Sequence, residues 1–154
     1  LKSLCLANNQ LALNYLNGFY KKWKNNHLVI EKWFEMMSTL NIGSQGLNLI
    51  KHLLKHEDFD YKNPNKLRAV LSTFQRENVL LFHANDSSGY KFVSEQVAII
   101  DKSNPQAAAR LVLPLTRFKN YSCERKNKIK DVLKKINKPF ISNDLSEIIE
   151  KALI

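Results

Sequence analysis

The sequence has 154 residues, enough for one domain with a hydrophobic core. Hydrophobic residues make up 44% of it and charged residues 25%, close to the average of globular proteins, which excludes a disordered tail. No apolar run approaches the ~20 residues of a transmembrane helix, so we expect no membrane partner.

The formal net charge is +10, which raises the question of an anionic partner such as nucleic acid. The densest basic cluster, residues 125–138, alternates with apolar residues in the pattern of one amphipathic helix. A solvated helix face is favoured over a stripe that follows phosphates, so nucleic acid is not an expected partner. A basic helical-repeat module that binds nucleic acid or a protein partner is kept as the alternative function.

Apolar residues recur at helical rather than alternating spacing along the whole chain. Several predicted helices begin at residues that favour a helix N-terminus, for example Ser44, the pair Asn63-Pro64, Ser122 and Ser142. The apolar residues of the eight predicted helices lie within 11–23, 28–40, 47–54, 67–74 and 90–100, in a helix after Asn104, in one after Ser122, and within 145–153.

Short loops between these helices indicate helical hairpins, which bury their apolar faces by stacking as an α-solenoid. The sequence therefore predicts an all-α fold, as a single domain over residues 1–154. The chain opens with Leu1 in the middle of a helical pattern, so we expect a fragment of a larger chain. Cys5 and Cys123 are isolated in the sequence, which fits a reducing, cytoplasmic location.

The segment that begins at Asn104 is the most informative part of the chain. Asn104 is a natural N-cap and Pro105 suits the first helical position. Gln106 and Arg110 are four residues apart, so they leave the helix on the same face, next to three alanines. From spacing alone this pair is either a solvated surface pair or a wall that reads a peptide-like ligand. Pro114 is expected to bend the helix or loosen one of its turns.

Two other groups of residues carry the letters of catalytic or metal sites. His52 and His56 have the spacing of two zinc ligands on a helix, but Leu53 stands where the general base of H-E-x-x-H would be. Residues 83–88 contain His, Asp and Ser, crowded into one loop where a catalytic triad does not form easily. We therefore expect no catalytic residue and no metal ligand in this chain.

Taken together, the motifs resemble the C-terminal helical domain of bacterial-type aminopeptidase N, in the zinc-dependent gluzincin aminopeptidase family. The similarity runs in order along the chain. It rests on the segments 19–24 (FYKKWK), 28–34 (LVIEKWF), 56–65 (HEDFDYKNPN), 82–84 (FHA), 88–92 (SGYKF), 101–110 (DKSNPQAAAR), 114–117 (PLTR) and 151–154 (KALI).

The resemblance implies a zinc metalloaminopeptidase that removes N-terminal amino acids from peptides. Its zinc and its catalytic residues would lie in a catalytic domain of the same polypeptide, outside this chain, so the fragment alone is predicted to be inactive. The helical domain of that family closes over the active-site cavity and controls peptide access.

The resemblance also gives a role to the motif at Asn104. Gln106 and Arg110 match the Gln and Arg of N-P-Q-x-A-x-R, which line the substrate cavity in the family. Arg110 would then donate to the C-terminal side of a bound peptide or to an ordered water, and Gln106 would line the same wall. The sequence departs from the family pattern at Glu31, where Asp is frequent, at Ser87, where Gly is usual, and at Phe118, where Trp is common.

Overall fold

The computed structural model describes residues 9–136 and 141–154, in which helices are joined by turns and no strand occurs. The longer helices are α1 (Asn9–Trp23), α2 (His27–Thr39), α3 (Gly46–Leu53), α7 (Ser88–Asp101), α8 (Pro105–Thr116), α9 (Cys123–Ile136) and α10 (Asn143–Leu153). The short ones are α4 (Pro64–Leu67), α5 (Thr73–Glu77) and α6 (Val79–Phe82). None of the described helices is long and apolar enough to span a membrane.

The chain divides into two compact units, residues 1–81 and residues 82–154. In the first unit, α1 packs on α2. Trp33 and Phe34 of α2 are buried, and the Trp33 Nε1–H donates to the Leu16 carbonyl of α1 over 3.0 Å. A tryptophan that buries its ring and satisfies its N–H fixes the two helices against each other. Cys5 lies outside the described residues.

Local sequence explains where most helices begin. Asn63 accepts from the backbone N–H of Asn65 over 2.9 Å, and Pro64 takes the first helical position. From there one continuous helical segment runs through α4, a π-helical turn (Arg68–Ser72) and α5. This segment is the fourth helix that the sequence predicts.

The third helix begins differently from the prediction. A 3-10 turn (Gly43–Gln45) precedes α3, and Gly43 has a φ of +62°, which favours glycine. Ser44 lies inside this turn rather than directly before the α-helix. Its side chain lies outside the described part of the structure, so its capping role stays a prediction.

Helix α6 has no counterpart among the predicted helices. Asn78, directly before it, is buried and donates through Nδ2 to the carbonyl oxygens of Ser38 and Leu40, at 3.3 and 2.9 Å. The Leu81 side chain of α6 lies so close to Gly46 that a Cβ at that position would clash with its Cδ1. Both contacts join segments more than 30 residues apart, so a local sequence pattern does not predict them.

In the second unit, α7 packs on both α8 and α9, and α10 packs on both α8 and α9. Two helical pairs thus lie side by side within this unit, as the hairpin pattern predicts. The eight predicted helices are all present among the described residues, and the all-α prediction is confirmed.

Candidate functional site

Asn104 and Pro105 determine where helix α8 begins. The Asn104 side chain accepts from the backbone N–H of Ala107 over 3.0 Å, and Pro105 occupies the first helical position. A cap of this kind satisfies one of the donors that a helix start leaves open. The helix then continues through Pro114 to Thr116.

Packing decides which face of α8 meets solvent. Ala108 is fully buried, and α8 packs between α7 and α10. A small side chain at this position lets the neighbouring helices approach closely. Gln106 and Arg110 lie on the opposite, exposed side of the helix.

A groove between α8 and α10 contains both of these side chains. Its volume is about 490 Å³. We call it the α8/α10 groove; its lining residues are Gln106, Ala109, Arg110, Leu113, Asp144, Glu147, Ile148 and Lys151. The volume lies within the range of roughly 300–1,000 Å³ that small-ligand sites occupy.

The charges in the groove are only partly matched. Glu147 and Lys151 form an i,i+4 ion pair on α10, and this hydrogen bond lowers the pKa of the Glu147 carboxyl. Gln106, Arg110 and Asp144 have no hydrogen bond or ion pair to any other described side chain. One cation and one anion of the groove therefore remain available to a ligand.

The start of α10 is fixed by a carboxylate that no sequence motif indicates. Asp101, buried at the end of α7, accepts from the Ser142 backbone N–H at 2.7 Å and from its hydroxyl at 2.5 Å. The Ser142 Oγ in turn accepts from the Leu145 N–H over 3.4 Å. Ser142 could be found as a helix cap from the sequence, but its partner is 41 residues away.

The loop that carries His83, Asp86, Ser87 and Ser88 does not assemble a triad. The His83 Nδ1 lies 2.6 Å from the Tyr90 hydroxyl, while Asp86 accepts from the Ser88 backbone N–H at 2.9 Å. Burial lowers the pKa of the His83 imidazole below its ordinary value, and the positive charge of Arg125 lowers it further. These residues build a turn and a partly buried polar contact.

The backbone conformation of Ser87 accounts for the preference for glycine at this position in the family pattern. Its φ is +64°, in the left-handed region that glycine adopts without steric cost. Glycine, which is usual here in the family that the sequence resembles, is the residue that this backbone favours.

The pair His52 and His56 does not share a helix face. The helix α3 ends at Leu53, and His56 lies beyond it in a tighter turn. The His56 ring packs against Tyr20, Trp33 and Phe34, and its Nδ1 accepts from the Asp58 backbone N–H at 3.2 Å. Among the described residues, no three His, Cys, Asp or Glu side chains come together as metal ligands would.

The basic helix α9 uses some of its cations within the protein. Lys128 donates to the Asn85 carbonyl at 2.7 Å and pairs with Glu124. The Lys130 Nζ lies 5.8 Å from the centre of the buried Phe118 ring, within the range of a cation–π contact. Both lysines therefore have partners of their own.

Comparison with known proteins assigns the family. The model of the family described as "Domain of unknown function (DUF3458_C) ARM repeats" matches residues 1–154. The chain belongs to this family. ARM repeats are stacked helices, and the predicted α-solenoid fold is thereby confirmed.

The curated relatives of this family member are aminopeptidases. It is 37% identical over 139 residues to aminopeptidase N of Haemophilus influenzae and 38% identical over 133 residues to aminopeptidase N of Escherichia coli. These matches cover 90% and 86% of the chain. The chain spans only 16% and 15% of the length of these two relatives.

A solved structure gives the same result. The chain matches a crystal structure of Legionella pneumophila aminopeptidase A in complex with aspartic acid, with a TM-score of 0.90 and 30% sequence identity. The match covers 99% of this chain and 18% of that one. The resemblance to the C-terminal helical domain of aminopeptidase N is therefore confirmed.

Proposed function

We propose that the chain is part of the C-terminal helical domain of a zinc metalloaminopeptidase, which removes N-terminal amino acids from peptides. The aminopeptidase relatives support this proposal, and they are about six times longer than the matched region. In this proposal the catalytic domain and the zinc ligands belong to other parts of the same polypeptide. The fragment alone is then inactive, and the parent enzyme works in the cytoplasm.

The proposed role of this domain is to cap the active-site cavity and to control the access of peptides. Helix α1 supports contact with other parts of the parent, because it exposes the apolar side chains of Leu11, Tyr15 and Trp23. Surfaces of this kind are covered in larger assemblies more often than they are left in water.

The α8/α10 groove is the proposed point of contact with substrate. The observation that carries this role is that Gln106 and Arg110 lie together, exposed and without internal partners, on one wall of the groove. An arginine donates two parallel hydrogen bonds to a carboxylate, and a glutamine both donates to and accepts from a peptide group. Arg110 would hold the C-terminal side of a peptide while Gln106 lines the same wall.

The test is Arg110→Ala in the full-length parent enzyme, measured with di- to tetra-alanine peptides and with alanine p-nitroanilide. A lost charge-assisted hydrogen bond raises KM for the longer peptides by about tenfold. The nitroanilide has no C-terminal peptide part, so its KM and kcat stay unchanged. Unchanged KM values for all peptides would refute the assignment.

A further inference from the structure

The groove has a second wall, on α10, whose residues no sequence motif singled out. Its polar side chains are Asp144, Glu147 and Lys151, and its apolar side chain is Ile148. Because Glu147 and Lys151 neutralise each other, Asp144 is the one unpaired charge that this wall offers among the described residues.

We propose that the α10 wall is the second half of the peptide site and sets a preference for a basic side chain in the peptide. This inference rests on the proposed function and goes beyond it, because it names the residues that select among peptides. A peptide carboxylate on Arg110 leaves Asp144 as the uncompensated charge of the groove. A lysine or arginine side chain of the peptide would neutralise it, whereas a glutamate would be repelled.

The size and lining of the groove support contact with both walls. Residues of α8 and α10 line the same groove of about 490 Å³, so a peptide that lies in it next to Arg110 can also contact α10. Leu113, which is 39% exposed, and Ile148 are the apolar residues of the lining besides Ala109. They can receive an apolar peptide side chain, as binding sites generally combine apolar surface with a few polar groups.

The backbone that carries Asp144 is held at the start of α10. It lies two residues after Ser142, whose backbone and hydroxyl are both held by the buried Asp101 carboxylate. Its place in the first turn of α10 also suits an acidic residue, because the positive end of the helix dipole lies there. The carboxylate therefore sits on a fixed helix start rather than on a loop.

The test compares two tetrapeptides, Ala-Ala-Lys-Ala and Ala-Ala-Glu-Ala, as substrates of the full-length parent enzyme. The wild-type enzyme should have a lower KM for the lysine peptide, by about threefold to tenfold for one partly screened charge pair. Asp144→Asn should bring the ratio of the two KM values close to one. The matched control is Asp131→Asn, an exposed acidic residue of α9 outside the groove lining, which should leave the ratio at its wild-type value.

A second variant tests the apolar part of the wall. Ile148→Ser should raise KM for Ala-Ala-Ala-Leu by about threefold to tenfold, since about one buried side chain of contact is lost. The same variant should leave the KM for alanine p-nitroanilide unchanged. Thermal melting of each variant checks that the helix is still folded.

The outcomes separate this inference from the proposed function. If Arg110→Ala raises KM for peptides while Asp144→Asn leaves the lysine-to-glutamate ratio unchanged, the α10 wall has no such role although the proposed function stands. If neither variant affects peptides, both fall. If Asp144→Asn lowers turnover of peptides and nitroanilide equally, its effect does not come from contact with the peptide and the inference is overturned.

Discussion

Polar side chains around His56 are hydrogen-bonded within the protein, whereas Arg110 and Asp144 of the α8/α10 groove are exposed and unpaired among the described residues. His56 packs among aromatic rings and its Nδ1 accepts a backbone N–H, while the Tyr20 hydroxyl above it donates to Glu57 and Asp58. Burial and these carboxylates raise the pKa of Tyr20 well above its ordinary value. In the groove, Arg110 and Asp144 face solvent without internal partners.

This difference distinguishes residues that hold the fold from residues that can bind something else. A polar group that is already hydrogen-bonded inside the protein would have to break that bond to bind a ligand. A group without a partner carries no such cost. His52 and His56 have the spacing of a known metal-binding motif, but in the described part of the structure it is Gln106 and Arg110 that are exposed and without internal partners.

The largest effect is expected at Asn78, whose role lies entirely within the fold. In Asn78→Asp the carboxylate cannot donate, so the Ser38 and Leu40 carbonyls lose their donor and a negative charge is buried beside them. The free energy of unfolding in urea should fall by about 3 kcal/mol or more. Asn48→Asp, on the exposed face of α3, is the control and should change it by less than about 0.5 kcal/mol. Equal effects of the two variants would contradict this account.

The next effect concerns the support of the groove. Asp101→Ala removes the acceptor of both Ser142 hydrogen bonds and leaves the start of α10 without its anchor. The free energy of unfolding should fall by about 1–3 kcal/mol. The exposed Asp131→Ala serves as the comparison, and a loss as large in that variant would show that Asp101 holds nothing in place.

A gain in stability is expected at Ser87, because its backbone is in the left-handed region. Ser87→Gly should raise the free energy of unfolding by about 1 kcal/mol, as glycine adopts this conformation without strain. Ser94→Gly, in the middle of α7, should instead lower it by roughly 0.5–1 kcal/mol. A loss of stability in Ser87→Gly would mean that the serine side chain outweighs the backbone strain.

The smallest effect is a pH dependence at His83. Because burial and Arg125 lower the pKa of His83 in the folded chain, the unfolded chain takes up the proton first as the pH falls. The contribution of His83 to the free energy of unfolding is therefore constant above the ordinary histidine pKa of about 6.5. Below that pH the free energy of unfolding decreases, by less than about 1 kcal/mol down to pH 5. His83→Asn should lack this slope, whereas the exposed His27→Asn should keep it. A slope of wild-type size in His83→Asn would assign it to another group.

Local patterns predict the helices because caps and apolar spacing act over a few residues. Each of the predicted caps Asn63, Asn104 and Ser142 directly precedes a helix in the structure, and Pro64 and Pro105 take the first helical position. Local patterns do not predict helix α6, since it has four residues and depends on Asn78 and on the contact of Leu81 with Gly46. Such a helix is stabilised by its tertiary contacts rather than by its own sequence.

The candidate site could be predicted only in part. Helical spacing puts Gln106 and Arg110 on one face, and the family resemblance suggests what that face does. The opposite wall, with Asp144 and Ile148, could not be predicted because it comes from a helix about 40 residues further along. The folded arrangement determines which charges remain unpaired, and residue spacing in the sequence does not predict this.

The most direct test of the central claim, that Arg110 is free to hold a peptide carboxylate, uses tetra-alanine with a free and with an amidated C-terminus. In the wild-type parent enzyme, amidation should raise KM by about tenfold, because the charge-assisted hydrogen bonds to the carboxylate are lost. In Arg110→Ala, whose free energy of unfolding should stay within about 0.5 kcal/mol of the wild type, amidation should leave KM unchanged. An equal effect of amidation on both enzymes would contradict the account.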